Sequence, residues 1–421
     1  MVFIPFLFFS YAFIRIIKRN GFDVSACMIL MYIATSFASI LLSFIDYDFG
    51  YDNYSKIEIA FTPTIVYCTF IGLCIYPFFK YNSNRHRKVL FLKNLTLFNW
   101  VSYLYIAVFF LILYIFKDDY LIRIAYGNFD ELRKMSYAGE LSKVVDNYSG
   151  ILRFVVTLLT TCGEGAYFMI PFFFYSVCFL HKKKLFNSLL LISSLSPVLI
   201  GFLDIDRSKT VFWVLLFMIS FCFFRPYINA EQKKKLRLVV MLVGCILVLY
   251  LAFVTVSRFG DRDEGALGSF LCYLGQPFIN FCKIWDNVWM DNLYTQRVLP
   301  LTNYLFMNNN GSEITLYVNE VFQKTGVHIN VFFSFLGMFL VDMGHLWAII
   351  IPSGMFLVFV KIVNKGIRRR TTSLSTFIIF FSIAIIIQCG IITYFYTNIA
   401  RVITFWMFVV LAKMFSKKEK A

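Results

Sequence analysis

Long hydrophobic stretches, separated by short polar connections, run along almost the whole chain. A helix needs about 20 apolar residues to cross the hydrocarbon core of a bilayer. We assign eleven spans, at residues 2–17, 24–45, 57–79, 95–116, 151–180, 185–203, 210–228, 236–257, 343–363, 374–396 and 400–415. Backbone polar groups in lipid must be satisfied within the segment, so the pattern predicts an all-α, polytopic integral membrane protein with a single transmembrane domain over residues 1–421.

Basic residues gather in alternate connections between these spans. One set of connections, with the C-terminal tail, holds 25 of the 40 lysines and arginines but three of the 24 acidic residues. The positive-inside rule makes this side cytoplasmic. With eleven spans, the N-terminus is then expected outside, in the periplasm, and the C-terminus in the cytoplasm. The net charge of +16 is therefore a topology signal. It does not indicate nucleic-acid binding, which needs basic residues on one face of a soluble domain.

Composition agrees with a membrane protein and points to no cofactor. The chain is 59% hydrophobic and 15% charged, with a mean hydropathy of +0.71. Eight of the ten cysteines lie in predicted spans, and Cys272 and Cys282 lie outside them as either a disulfide or two unpaired thiols. No zinc-type spacing and no HExxH motif occurs in an outer loop, so we expect no metal. The absence of a phosphate-binding loop motif argues against ATP-driven work.

Two segments on the outer side are too long to be simple turns. The first, residues 117–150, has helical spacing and is expected to lie along the membrane interface. The second, residues 258–342, begins with an apolar stretch that contains Gly275 and Pro277, which predicts a broken or re-entrant helix. Its later part, residues 308–330, is polar and is expected to form a lid.

Four arginines at the outer ends of spans are candidate phosphate-binding residues: Arg207, Arg258, Arg262 and Arg401. A guanidinium group is a fixed charge whose planar fork fits two phosphate oxygens. Arg207 belongs to the tight turn LDIDRSKT, which also holds Asp204, Asp206 and Lys209. The alternative is that these arginines anchor the spans by reaching to ordinary lipid phosphates.

Three ionisable residues in or beside spans are candidates for acid–base chemistry: Glu164, Asp342 and His345. Such residues are costly in a membrane and are often functional. Glu164 is flanked by Gly163 and Gly165, which we expect to open space beside it. It is either a base or a structural partner of an arginine on another helix, Asp342 is either functional or a helix cap, and His345 is either a base or structural.

Aromatic side chains in the second outer segment could stack on sugar rings. Tyr273 and Trp285 are the candidates. The alternative is an interfacial aromatic belt, because tryptophan and tyrosine are enriched at the level of the lipid headgroups.

The chain resembles the Wzy-type polymerases of bacterial O-antigen and capsule, the oligosaccharide repeat-unit polymerases. The resemblance rests on the span count and four short segments: DIDRSKT after span six, VSRF at the end of span eight, YLGQPFINF in the long loop, and VDMG before span nine. It implies a multi-span fold like that of the C-type glycosyltransferases, in the bacterial inner membrane. It also implies that Arg207 and Arg258 handle the lipid diphosphate.

The activity implied by the resemblance is metal-independent glycosyl transfer between undecaprenyl-diphosphate-linked repeat units on the periplasmic face. The expected partners are those lipid-linked glycans, membrane lipid and a chain-length regulator, with no nucleic acid. Two other functions stay open. One is an O-antigen ligase, which uses the same donor. The other is a lipid-linked glycan flippase or other secondary transporter, although the sequence shows no internal repeat of the kind that transporters have.

Overall fold

The described part of the chain is helical almost throughout. The computed structural model describes residues 1–49, 52–81, 88–89, 92, 94–126, 131–132, 135, 148–206, 208–230, 233–234, 245, 265–287, 313–329, 331–369, 371–391 and 399–415. The first helices are α1 (Phe3–Asn20), α2 (Val24–Ser43), α3 (Phe61–Tyr81), α4 (Leu95–Ile115), α5 (Lys117–Tyr126), α6 (Gly150–Glu164), α7 (Met169–Tyr175) and α8 (Lys184–Ser193). They are followed by α9 (Ser196–Leu203), α10 (Ser208–Phe224), α11 (Gly265–Asn287), α12 (Glu313–Thr325), α13 (Ser334–Arg369), α14 (Leu374–Gln388) and α15 (Ile399–Phe415). Two short strands, β1 (Lys88–Val89) and β2 (Thr371–Thr372), pair in parallel.

Seven helical runs in the described residues are long and apolar enough to cross a membrane. They are Val24–Ser43, Phe61–Tyr81, Leu95–Ile115, Gly150–Leu180, Lys184–Leu203, Ser208–Tyr227 and Ser334–Arg368. Each overlaps a span predicted from the sequence, and the prediction of an all-α, polytopic membrane protein is confirmed at this level. The run from Gly150 joins α6 to α7 through a 3₁₀ turn at Gly165–Phe168 and ends in a π-helical stretch at Ser176–Leu180.

The four other predicted spans have different outcomes. The spans at 2–17 and 400–415 coincide with α1 and α15, which have 18 and 17 residues. The span at 374–396 is shorter than expected, because α14 has 15 residues and ends at Gln388. The span at 236–257 lies outside the described residues apart from position 245.

The break expected at Gly275 and Pro277 is wrong, because α11 is one continuous helix of 23 residues. Glycine serves close packing here: a Cβ on Gly275 would lie 2.7 Å from the carbonyl oxygen of Ala38 in α2. The Ser39 hydroxyl donates a hydrogen bond of 2.6 Å to the Gly275 carbonyl. Neighbouring helices can thus satisfy backbone groups near a proline inside an apolar helix.

A break does occur in α13, at Gly344. This residue has φ 78° and ψ 178°, so α13 consists of a helix over residues 334–343 and a second helix over residues 345–369. Glycine adopts such a backbone without steric cost. The predicted span at 343–363 therefore begins at a backbone break, and Asp342 lies in the last turn of the helix that precedes it.

The chain forms two compact units. The first consists of Met1–Arg85, Leu267–Arg370 and Ile383–Val402. Its core is aromatic: the Tyr67 ring lies 5.0 Å from the Phe278 ring and 5.5 Å from the Phe281 ring, between centroids. The Tyr32 hydroxyl donates a hydrogen bond of 2.6 Å to the carbonyl of Ile387. Buried tyrosines thus add directional contacts to a core that otherwise packs by shape.

The second unit consists of His86–Ala266, Thr371–Ser382 and Ile403–Ala421. Stacked phenylalanines join its helices: Phe168 and Phe408 lie 4.3 Å apart, and Phe98 and Phe172 lie 4.9 Å apart, between ring centroids. A smaller apolar cluster packs where α4, α6 and α9 meet and consists of Val108, Ile112, Phe116, Val156, Ile200 and Leu203. Two members of this cluster, Ile112 and Ile200, lie against Gly163, the residue before Glu164.

We predict that Gly390→Ala will destabilise the protein, whereas Gly354→Ala in α13 will not. Gly390 has φ 72°, and a Cβ there would collide with the backbone of Ser334, whose amide donates a hydrogen bond of 2.8 Å to the Gly390 carbonyl. Gly354 is helical, and a Cβ added there would meet nothing within 4 Å. The expected loss for Gly390→Ala is about 2 kcal/mol or more. Thermal unfolding of the purified proteins in detergent measures the stability of both variants. Equal unfolding midpoints for the two would contradict the prediction.

Candidate functional site

The turn between α9 and α10 is fixed by its own backbone and side chains. Ile205 has φ 54°, an uncommon left-handed conformation for a β-branched residue. The Asp206 amide donates a hydrogen bond of 2.7 Å to the Gly201 carbonyl. The Asp206 carboxylate accepts hydrogen bonds from the Ser208 amide at 2.9 Å and the Ser208 hydroxyl at 2.6 Å, as aspartates do at turns and helix starts. The backbone of the turn is therefore held on both sides of position 207.

A buried lysine joins this turn to α6. The Lys209 ammonium lies 2.6 Å from Glu164 Oε1 and 2.8 Å from Asp204 Oδ2. The side chains of Lys209 and Glu164 are 3% and 5% exposed, while that of Asp204 is 54% exposed. We call these three residues the Lys209 cluster. It presents one carboxylate to the surroundings and keeps the other two charges inside the protein.

Packing around Glu164 leaves no spare space, which corrects the expectation for its flanking glycines. A Cβ on Gly163 would lie 2.6 Å from Ile112 Cδ1 and 2.8 Å from Ile200 Cδ1. A Cβ on Gly165 would lie 2.5 Å from Thr404 Cβ. The glycines let α4, α9 and α15 approach the helix closely, as small residues do in membrane bundles. Glu164 is thereby held against the lysine.

The structure pairs Glu164 with a cation, as one of the two interpretations from the sequence expected, but the partner is Lys209 and not an arginine. The Lys209 backbone carbonyl also accepts a hydrogen bond of 3.2 Å from the Tyr167 hydroxyl. Both ends of the ion pair are therefore fixed by neighbouring elements. An ion pair held in this way can stabilise a further charge at a defined position.

A further arginine, on α5, belongs to the same neighbourhood and is not predicted by the sequence reasoning. Arg123 is 6% exposed, and its charge is felt by Asp119 and Asp204. Burial lowers the pKa of Arg123, and these two carboxylates oppose that effect. Burial raises the pKa of Asp119, and Arg123 opposes it. The sequence offered one indication of Arg123: it is a charged residue three positions after Tyr120, in a short helix that is partly apolar.

His345 and Trp285, which the sequence suggested separately, lie together in the first unit. His345 Nε2 is 2.8 Å from the Trp285 carbonyl oxygen, and the two rings meet edge to face with centroids 4.6 Å apart. Because a carbonyl only accepts, Nε2 is the nitrogen that carries the proton in this contact. Burial raises the pKa of the adjacent Asp286, and His345 opposes that shift.

Three other candidates differ in their exposure. Asp342 is fully buried, at 0% exposure, and Arg401 is 6% exposed, so Arg401 does not extend from the surface as a lipid anchor would. Tyr273 is 38% exposed, with its ring 6.1 Å from that of Phe332. This partial exposure fits both stacking on a sugar ring and an interfacial aromatic belt.

The remaining predictions concern arginines, cysteines and metals. Arg207, Arg258 and Arg262 lie outside the described residues. Cys272 and Cys282 are not joined by a disulfide, so that alternative is wrong and both remain thiols. Within the ranges that the structure describes, no group of three or more His, Cys, Asp or Glu side chains could hold a metal ion.

No known protein family matches the chain, and no curated protein or solved structure is significantly similar to it. The functional argument therefore rests on the chemistry of the residues.

We predict that Lys209→Met will destabilise the protein by about 3–5 kcal/mol, because it leaves the Glu164 carboxylate buried without its cation. Adding Glu164→Gln to Lys209→Met removes both buried charges and should restore most of the stability. Thermal unfolding of the three proteins in detergent measures the coupling.

The matched control for this prediction is Lys56→Met. Lys56 pairs with Asp46 at 3.5 Å, but the two side chains are 71% and 73% exposed. An exposed pair contributes little to stability because solvent screens it, so this variant should unfold close to the wild type. A Lys209→Met protein as stable as Lys56→Met would show that the buried pair does not hold the site.

Proposed function

We propose that this chain polymerises undecaprenyl-diphosphate-linked oligosaccharide repeat units into O-antigen or capsular polysaccharide, on the periplasmic side of a bacterial inner membrane. The proposal includes eleven spans in an arrangement like that of the C-type glycosyltransferases, with the N-terminus outside and the C-terminus inside. The observation that carries it is the Lys209 cluster, a set of charged residues held together close in sequence to position 207 of a polytopic helical protein. The four sequence segments that resemble Wzy-type polymerases support it.

The reaction needs no energy source beyond the donor lipid. A hydroxyl oxygen of the acceptor sugar forms a bond to the anomeric carbon of the donor glycan. The bond from that carbon to the diphosphate oxygen breaks, and its electron pair leaves on the undecaprenyl diphosphate. The hydroxyl proton passes to a base on the protein. The protein must therefore stabilise negative charge on the leaving diphosphate and accept one proton.

Arg207 is the residue we assign to the leaving diphosphate. Its neighbours in sequence, Asp206 and Ser208, are tied to each other and to Gly201, and the next residue is Lys209. A cation near the leaving diphosphate stabilises the negative charge that develops there in the transition state. Arg258, Arg262 and Arg401 are the further candidates for this role from the sequence.

Glu164, Asp342 and His345 are the three candidates for the base. Glu164 is 4% exposed and bound to Lys209, and Asp342 is 0% exposed. His345 is half-buried, and the Trp285 carbonyl fixes its ring. Trp285 and Tyr273 would then supply aromatic surface for the sugar rings.

The strongest alternative is a flippase or other secondary transporter. A buried Glu–Lys pair within membrane spans is the kind of feature that marks ion and proton pathways. An O-antigen ligase is the nearest enzyme alternative, since it uses the same lipid-linked donor.

Deletion of the gene in its native host, followed by gel analysis of the surface glycan, separates these functions. Loss of the proposed polymerase leaves single repeat units on the carrier lipid or core. Loss of a flippase traps units on the cytoplasmic face, and loss of a ligase leaves full-length chains unattached. A normal ladder after deletion would overturn the proposal.

We predict that Arg207→Lys and Arg258→Lys will sharply shorten the polymer although the charge is kept. Lysine lacks the planar fork that binds two phosphate oxygens, and loss of one such donor costs roughly 100-fold in rate. Arg153→Lys, at an exposed position of α6, is the control and should give a normal ladder. Normal ladders from both test variants would remove the two arginines from the diphosphate site.

We predict that His345→Gln will reduce polymer formation by about 100-fold or more, the usual contribution of a general base. Glutamine can still donate to the Trp285 carbonyl but cannot accept the proton, so the fold should survive. Leu346→Ala changes the adjacent, 66% exposed residue and is the control. A His345→Gln protein with full activity would assign the histidine a structural role.

A further inference from the structure

One face of α5 carries two buried polar groups that no atom of the described residues satisfies. The Tyr120 hydroxyl and Arg123 Nη1 are both buried, and neither has a hydrogen-bond partner within the described part of the chain. They lie about one helical turn apart and so on the same face of α5. Buried polar groups are nearly always hydrogen-bonded, and two exceptions side by side suggest a missing partner.

This arrangement is costly for a purely structural feature. Arg123 is 6% exposed and keeps its charge, because guanidinium groups are not deprotonated in proteins. A buried donor or charge without a partner loses hydration and gains nothing in return. A ligand that offers acceptor oxygens would satisfy both groups.

The walls around these two groups are well packed. The Tyr120 and Phe202 rings lie 6.0 Å apart, and Tyr120 and Tyr148 both pack on the apolar cluster of α4, α6 and α9. The Asp204 carboxylate belongs to the same neighbourhood, because its charge acts on both Tyr120 and Arg123. Asp204 is 54% exposed and forms the accessible edge of the group.

The charges nearby argue against a phosphate at this place. Among the described residues, three carboxylates (Asp119, Asp204 and Glu164) stand against two cations (Arg123 and Lys209). Among the described residues this balance favours a neutral ligand at Tyr120 and Arg123, whereas the diphosphate is assigned to Arg207. A neutral polyol is not repelled: its hydroxyls donate to a carboxylate and accept from a guanidinium or a phenol.

We propose that Tyr120, Arg123 and Asp204 form a sugar-binding subsite for a neutral residue of the glycan. Tyr120 and Arg123 each donate to a sugar oxygen, and Asp204 accepts from a sugar hydroxyl while Lys209 holds it in place. The ligand class rests on the proposed function, because a lipid-linked glycan is the substrate that it supplies. The subsite is separate in sequence from the aromatic candidates Tyr273 and Trp285.

Two variants separate a ligand role from a structural one. Tyr120→Phe removes a hydroxyl that binds nothing among the described residues, and Arg123→Gln removes a buried charge. If the groups were only structural, sugar affinity should not change in either variant. If they bind sugar, affinity should fall roughly tenfold in each variant, the loss of one hydrogen bond, and Tyr120→Phe should keep the stability of the wild type.

The probe is an oligosaccharide prepared by partial acid hydrolysis of the host's own surface polysaccharide. Calorimetric titration into the full-length protein in detergent gives its affinity, and thermal unfolding gives the stability of each variant. Lys117→Gln and Tyr114→Phe are the controls: Lys117 lies on the exposed side of α5, and Tyr114 is 71% exposed. Both controls should bind the oligosaccharide as the wild type does.

Each outcome decides the inference. Weaker oligosaccharide binding by Tyr120→Phe and Arg123→Gln, with normal controls, supports the subsite. Wild-type binding by both variants, or no binding by the wild type, overturns it. Inorganic pyrophosphate is titrated in parallel. If Arg123→Gln loses pyrophosphate binding while its oligosaccharide binding is unchanged, the sugar assignment is overturned in favour of an anion. The deletion experiment tests the proposed function independently, so the two failures are distinguishable.

Discussion

The burial of the Lys209 ammonium determines the arrangement of the second unit's charged residues. An ammonium in a low-dielectric interior is stable only with close, fixed counter-charges, and Glu164 at 2.6 Å and Asp204 at 2.8 Å provide them. Those distances require α6 and the turn before α10 to approach closely. Glycines at 163 and 165 allow that approach, because any side chain there would overlap Ile112, Ile200 or Thr404. Helix packing and electrostatics thus depend on one another.

The same interaction divides the carboxylates into two kinds. Glu164 neutralises the lysine inside the protein and is shielded from any substrate, whereas Asp204 is bound on one side and exposed on the other. A carboxylate with a fixed orientation and an accessible edge suits recognition of hydroxyl groups better than proton transfer, because its ammonium partner stabilises the ionised form. This division is why we propose a binding role for Asp204.

The sequence predicts the helical, polytopic architecture well, because apolar runs of about 20 residues suit a lipid environment. It predicts side-chain partners poorly, because a partner lies on another helix whose rotation and depth the sequence does not specify. Glycine is the clearest case: Gly344 interrupts a helix, whereas Gly275 and Gly163 permit close helix contact. A single sequence does not distinguish these uses. Arg123 was missed for a related reason, since its burial depends on how α5 docks.

The rigidity of the Lys209 cluster bears on the choice between enzyme and transporter. A carrier that couples transport to protons must exchange the partners of its buried charges during each cycle. Here the Tyr167 hydroxyl holds the backbone of Lys209, and Thr404 blocks the space beside Gly165. Exchange of partners would require several packed contacts to separate together. Charges held in this way resemble those of enzymes, where preorganisation lowers the barrier because the protein does not rearrange.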